Sequence, residues 1–239
     1  VKASVRQFFP QLNESRLVKL FNATDLQRFD PAKNPAARQA VRARFGLTSD
    51  HVVGLMLAQD FERKGLREAL AALARVNDPR LVLLVAGKQD PSPYRRWAEW
   101  LGVGQRVHFA GATTDPYSFY QSADFFILPT RHDPCSLVVL EALAMGVPVI
   151  STIFNGACEI MDHRQHGIVL SDPANVNALA AAMTTLLDPA RRAEMSRACL
   201  AHRPALSYEK HLDALEEIYR RRAASDEGVS RRDRCDDED

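Results

Sequence analysis

The chain has 239 residues, 46% of them hydrophobic, enough to build one sizeable core, and its 31 Lys and Arg nearly cancel 30 Asp and Glu to leave a net charge of +1. That balance gives no global field for nucleic acid or an anionic membrane surface, so nucleic acid is not an expected partner. Cys135, Cys158, Cys199 and Cys235 have no C-x-x-C or zinc spacing, which argues against a structural metal and fits a reduced cytoplasmic protein better than a disulfide framework.

Residues 1–30 read as a lead-in. The sequence opens on Val1 in what looks like an ordered segment, without Met or signal peptide, which predicts a longer polypeptide. The run 16–21 reads as a strand, and Asn22 to Asp25 as the turn that follows it. Residues 31–222 read as one domain. Asn34 suits an N-cap, Pro35 the first helical position, Ala37, Val41 and Phe45 share a stripe, and Gly46 is a stop. Continuous apolar runs at 51–58, 81–86, 106–110, 124–128 and 147–152 have the character of buried parallel strands. Helical patterns lie between them, most clearly over 64–76, where Leu66, Ala69, Leu70, Leu73 and Val76 fall on one face. Such alternation predicts an α/β fold, a Rossmann-like doubly wound parallel sheet whose ligand crevice lies beyond the carboxyl ends of its strands. C-terminal helices are expected over 176–187, near 190–201 and over 208–222. Residues 223–239 are charged and nearly free of large apolar side chains, which predicts a disordered tail. No apolar run approaches the roughly 20 residues that span a bilayer.

Candidate chemistry gathers at the expected strand ends. After the first strand, Gln59 to Gly65 form a basic loop feeding a helix, where Arg63 and Lys64 would stabilise a developing anion without a metal, or would simply be a solvated helix-start pair. Gly87 and Lys88 end the second strand, and the glycine admits either a close ligand or an ordinary turn. Asp133 and Glu141 stand eight positions apart, one on a loop and one in a helix that opens on Ser136, so both can face an anionic ligand at the helix N-terminus. Taken alone, Glu141 could equally be an exposed helix face and Asp133 a turn residue before Pro134. Asn155 to Ile160 read either as a pocket wall or as a capped helix. His132 and His163 read as surface or structural residues, and nothing near Cys135 marks it as a nucleophile.

The Asp133 to Glu141 spacing resembles the E-x7-E motif of the retaining glycosyltransferases of family 4, with Asp133, Pro134, Cys135 and Ser136 where most members read Glu-Gly-Phe-Gly. The loop before the first long helix resembles that family's Gly-Arg-x-x-x-x-Lys-Gly: Lys64 and Gly65 match, and Gln59 stands in the place of the Arg. The wording Asp-Phe-x-Arg-Lys-Gly, with Val85 to Asp90 and Val107 to Phe109, is nearer to the glucosyltransferases of the lipopolysaccharide core that act on heptose. The resemblance implies the donor-binding half of a GT-B fold, lacking the N-terminal half that holds the acceptor, the catalytic His of many relatives and any membrane contact. It implies a nucleotide sugar as partner, UDP-glucose or another nucleoside diphosphate hexose, with no metal and no cofactor. Glu141 would bind the ribose and Asp133 would lie beside the hexose. The amides of Cys135, Ser136, Leu137 and Val138 would meet the sugar and diphosphate, and Lys64 would contact the diphosphate. Either Arg63 takes the part of the absent Arg, or the leaving group is held less firmly. Two rival readings share the fold: a nucleotide-sugar epimerase, whose acidic and His motifs are not seen here, and a non-catalytic nucleotide-sugar-binding module.

Overall fold

Six runs meet edge to edge in one sheet: β1 (Val52–Leu57), β2 (Leu81–Ala86), β3 (Val107–Gly111), β4 (Phe125–Leu128), β5 (Val149–Thr152) and β6 (Gly167–Leu170). This computed structural model describes residues 2–13 and 17–232. Every strand pair is parallel, in the order β3-β2-β1-β4-β5-β6. Strands β1, β2, β4 and β5 are buried at every residue, which is why β1, β2 and β4 read as unbroken apolar runs rather than alternations, while β5 ends on buried Ser151 and Thr152. The chain steps outward one way through β2 and β3 and the other way through β5 and β6. Its direction reverses between β1 and β4, and that reversal opens a crevice at their carboxyl ends.

The helices are α1 (Lys2–Phe8), α2 (Ala36–Arg44), α3 (Leu66–Arg75), α4 (Ser92–Trp100), α5 (Pro116–Ser122), α6 (Leu137–Ala144), α7 (Val176–Thr185), α8 (Pro189–His202) and α9 (Tyr208–Arg232). Helix α3 buries the predicted stripe Leu66, Ala69, Leu70 and Leu73 completely and packs beside α7. Helix α6 has no exposure at Val139, Leu140, Ala142, Leu143 and Ala144, because it lies between the sheet and α8. A helix apolar on nearly all sides is a core element, and full burial of each large side chain contributes about 1.5–3 kcal/mol. That burial holds the first turn of α6 firmly at the crevice.

Four expectations are corrected. Of the run 16–21, the described residues 17–21 form no strand: among the described residues no backbone pairs with them, and the first bridge comes at Thr24, which meets Ser207. Helix α2 begins after Pro35 with no side-chain cap: Asn34 serves it only through its carbonyl, which accepts from the Ala37 N–H at 3.2 Å, while its own N–H donates to Tyr117 Oη at 2.9 Å. Strand β6 was not foreseen: it opens on Gly167 and leaves only Ile168, Val169 and Leu170 as an apolar signal between polar residues. Helix α9 runs past Ala223 to Arg232 where a disordered tail was expected, and residues 233–239 of that tail lie outside the described residues. Its Arg220 and Arg221 pair with Glu217, side-chain support of the kind that sustains an exposed helix. Among the described residues no helix is long and apolar enough to cross a membrane.

Candidate active site

The crevice is a cleft of about 570 Å³ lined from the ends of β1, β2 and β4, the loop after β3, and the first turns of α6. At one end the Lys64 ammonium pairs with Asp133 Oδ2, both side chains being only 11% exposed. Lys64 comes from the loop after β1 and Asp133 from the loop after β4, so the topological reversal brings them together. Gly65 makes this approach feasible. It sits at φ +80°, and a Cβ there would lie 2.4 Å from the Pro129 carbonyl oxygen. The two loops are laced by the Arg131 N–H and Thr130 Oγ1, which donate to the Arg63 carbonyl at 3.0 and 3.2 Å, and by Arg63 Nη1, which donates to the His132 carbonyl at 2.8 Å. Arg63 Nε also reaches Asp60 at 3.1 Å, and the bond from the Arg63 backbone N–H, more than the guanidinium itself, holds the Asp60 carboxyl below its usual range.

At the other end Glu141 lines the cleft from the second turn of α6. Its Oε2 accepts from Tyr120 Oη at 2.8 Å, and the same hydroxyl lies 2.9 Å from the Val138 carbonyl. Burial lifts the Glu141 carboxyl above its ordinary range, and the Tyr120 bond draws it partly back. Tyr120 is wholly buried, between Phe29 and Phe126, and its phenol is raised well above its normal range, first by burial and then by the Glu141 charge.

Between the two ends the helix mouth presents open donors. Ser136 precedes α6 without a side-chain cap bond, and neither the Leu137 nor the Val138 N–H has a protein acceptor among the described residues. Their N–H groups with the positive end of the helix make an anion seat. Asn155, with no exposure, braces this turn: its Oδ1 accepts from the Ser136 and Ala157 N–H groups at 3.3 and 3.1 Å, and its Nδ2 donates to Ser151 Oγ at 3.2 Å. The Asn155 segment is thus a capped turn behind the cleft rather than its wall. Cys135 is half-buried beside Ser136, and burial pushes its thiol up, away from the reactive thiolate.

Of the predicted site residues, Gln59, Arg63, Lys64, Gly87, Asp133, Cys135, Ser136, Leu137, Val138 and Glu141 all line the one cleft, and Gly65 supports it from below. Lys88 does not. It is exposed and lies outside the lining, one residue beyond the point where the β2 end turns away. Gly87 is required by the protein rather than by a ligand, because a Cβ there would meet the Ala58 carbonyl oxygen at 1.9 Å. His132 contributes only its carbonyl, and exposed His163 accepts the Val169 N–H at 3.2 Å. The segment from Val107 to Gln121 resembles the family's nucleobase loop in sequence, but no side chain of it was singled out: Thr113 and Pro116, which close the cleft from the β3 side, and Tyr120 come from the structure. A buried tyrosine needs a partner for its hydroxyl, but the sequence does not say which. Among the described residues no cluster of three or more His, Cys, Asp or Glu could hold a metal ion.

Residues 51–189 match the family model described as glycosyl transferases group 1. The lipopolysaccharide glucosyltransferase WaaG of Escherichia coli is 29% identical over 142 residues, covering 58% of this chain and 38% of the relative. A D-inositol 3-phosphate glycosyltransferase of Saccharomonospora viridis is 30% identical, with 90% of this chain and 55% of the relative covered. The chain therefore spans about half or less of these relatives' lengths. Among solved structures, Anabaena HepE in complex with UDP-glucose superposes with a TM-score of 0.78 at 20% identity, over 91% of this chain and 61% of that one. With its motifs in family order at the ends of the expected strands, the chain belongs to the group 1 glycosyltransferases, and its six-stranded sheet is a GT-B half-domain.

Proposed function

We propose that this chain is the donor-binding half of a retaining hexosyltransferase that takes a nucleoside diphosphate hexose, UDP-glucose in the first instance, and transfers the sugar to a glycan or lipid-linked acceptor held by a second half. The observation that carries the reading is the cleft itself: a cation at one end, an acceptor-only carboxylate at the other, and free helix N–H groups between them. A diphosphate needs the first and third, and a ribose needs the second. The UDP-glucose complex of the HepE structure supports this choice of donor.

In the reaction the bond between the anomeric carbon and the diphosphate oxygen breaks, and the acceptor hydroxyl oxygen bonds to that carbon from the same face. Its proton passes to a phosphate oxygen of the leaving group, so configuration is retained. Lys64 turns from Asp133 to the departing diphosphate, and Arg63 adds a second positive charge across the loop, the place a metal ion takes in other transferases. Asp133, released from Lys64, accepts from a hexose hydroxyl. Glu141 fixes the ribose, and the Leu137 and Val138 N–H groups hold a phosphate oxygen.

Titration calorimetry with UDP-glucose and GDP-mannose tests the donor. Saturable binding of UDP-glucose in preference to GDP-mannose is expected, and binding of neither by this chain or by the longer polypeptide sinks the reading. With the longer polypeptide, transfer undiminished by a chelator and a product of unchanged anomeric configuration are the further expectations.

A further inference from the structure

The Tyr120 hydroxyl carries one proton and stands within hydrogen-bond reach of two acceptors, Glu141 Oε2 at 2.8 Å and the Val138 carbonyl at 2.9 Å. Its ring cannot drift, because the residue has no exposure and packs edge-on against Phe29 and tilted against Phe126, at 5.9 and 5.8 Å between centroids. Oε2 is therefore pinned to the floor of the cleft, and Oε1 is the Glu141 oxygen with no protein partner among the described residues. We propose that Tyr120 is the positioning residue of the donor site, turning Glu141 so that one oxygen is anchored to the protein and the other is presented to the ribose hydroxyls. This rests on the donor-binding reading above.

The same geometry accommodates two proton arrangements. With Glu141 ionised, the phenol O–H donates to Oε2, the stronger charge-assisted bond. With Glu141 protonated, the carboxyl O–H donates to the phenol oxygen and the phenol donates to the Val138 carbonyl. Both arrangements leave every buried polar atom of the pair satisfied, but only the ionised one presents a charged acceptor, the stronger partner, to the ribose hydroxyls. The charges that face Glu141 are few. Arg28, on the turn before α2, acts on it through space, and Lys64 and Asp133 neutralise one another at the far end of the cleft. Among the described residues nothing but Tyr120 gives it a direct bond. Since that bond draws the carboxyl down against the lift of burial, losing it moves protonation of Glu141 to higher pH.

The test is equilibrium binding of UDP and of 2′,3′-dideoxy-UDP to the chain across a pH series. The wild type should prefer UDP and lose that preference as pH falls through the Glu141 protonation. Tyr120→Phe, which deletes one oxygen and keeps the ring, should cut UDP affinity about two- to tenfold at neutral pH, leave dideoxy-UDP affinity unchanged and shift the acid limb to higher pH. Glu141→Gln should abolish the acid limb, and it stands in if Tyr120→Phe lowers the urea midpoint enough to obscure binding. An acid limb that persists in Glu141→Gln overturns the proposal. So does a Tyr120→Phe protein that discriminates between the two nucleotides as the wild type does, with its limb unmoved, and the donor reading then survives through Glu141. If wild type and Glu141→Ala both bind the two nucleotides equally, the assignment of Glu141 to the ribose fails, and the role of Tyr120 with it.

Discussion

Strand β4 carries an aspartate gripped by a buried cation at each end, and the two grips differ in how completely they are satisfied. Before the strand, Asp124 Oδ1 accepts from Arg38 Nη2 at 2.7 Å, while Oδ2 accepts from Arg42 Nη2 at 2.6 Å and from the Val53 N–H at 2.7 Å. Arg42 gives its Nε to the Ser122 carbonyl and both Nη1 hydrogens to the carbonyls of Thr48 and His51. After the strand, Asp133 has Lys64, and the Lys64 ammonium has no other hydrogen-bond partner among the described residues. Burial does not separate the pairs: the side chains are 7% and 12% exposed at Arg42 and Asp124, and 11% each at Lys64 and Asp133. Saturation does. A network in which most donors and both carboxylate oxygens are taken up within the protein is a clamp, and a single ion pair facing a cleft is a site whose cation can be transferred to a ligand.

The largest effect should come from breaking the clamp. Asp124→Ala leaves Arg42 buried and uncompensated, and burial already works against its charge. A loss of about 3–5 kcal/mol in urea denaturation is expected. Donor affinity of the fraction that remains folded should be unchanged. Lys64→Ala should do the reverse. In the two-domain transferase proposed above, transfer should fall about 10²–10³-fold, as when one preorganised charge-stabilising group is removed, with stability reduced by far less than at Asp124. Were Lys64→Ala to cost stability on the Asp124 scale and leave transfer intact, the pair would be a second clamp.

Glu141→Ala comes next. It removes an ionised acceptor from the cleft, so donor affinity should drop by about 1.5–3 kcal/mol, read by calorimetry. The fold should tolerate the change, because the Tyr120 hydroxyl keeps the Val138 carbonyl. Glu141→Gln sharpens the point through pH. The folded carboxyl protonates at higher pH than the unfolded one, so between those two values the native state holds more protons and wild-type stability declines as pH rises. The Gln variant lacks that decline. It should overtake the wild type in stability on going from acid to neutral pH, by about 1.4 kcal/mol for each unit the folded group is raised, while binding donor less well.

The sheet was legible because its strands are buried on both sides and carry their own signal. Leu81–Ala86 was read to the residue. The run at 16–21 was also read as a strand, and its described residues 17–21 form none, since a strand is defined by a neighbour that the local sequence does not contain. Site membership was legible for a related reason: strand ends in a doubly wound sheet share one edge, so residues assigned to ends fall together. Partnerships were not. Lys64 and Asp133 are 69 positions apart, and Tyr120 and Glu141 are 21 apart, and both contacts depend on which strands neighbour each other. Lys88 shows the limit at the finest scale, because a strand end fixes an edge and not the direction of the next side chain.

That limit supplies the smallest prediction. Lys88 is a third cation at the same sheet edge, one residue past cleft-lining Gly87, yet it is exposed and outside the lining. If cleft chemistry belongs to cations held in place by the two laced loops, an exposed lysine beyond them contributes only a screened field at that distance. Lys88→Ala should then change stability by less than about 0.5 kcal/mol and donor affinity by less than about threefold, with any effect fading as salt is raised. A loss comparable to that of Lys64→Ala, persisting at high salt, would mean that Lys88 folds over the bound diphosphate. The difference between clamp and site would then lie in which cations the ligand can recruit rather than in which are already paired.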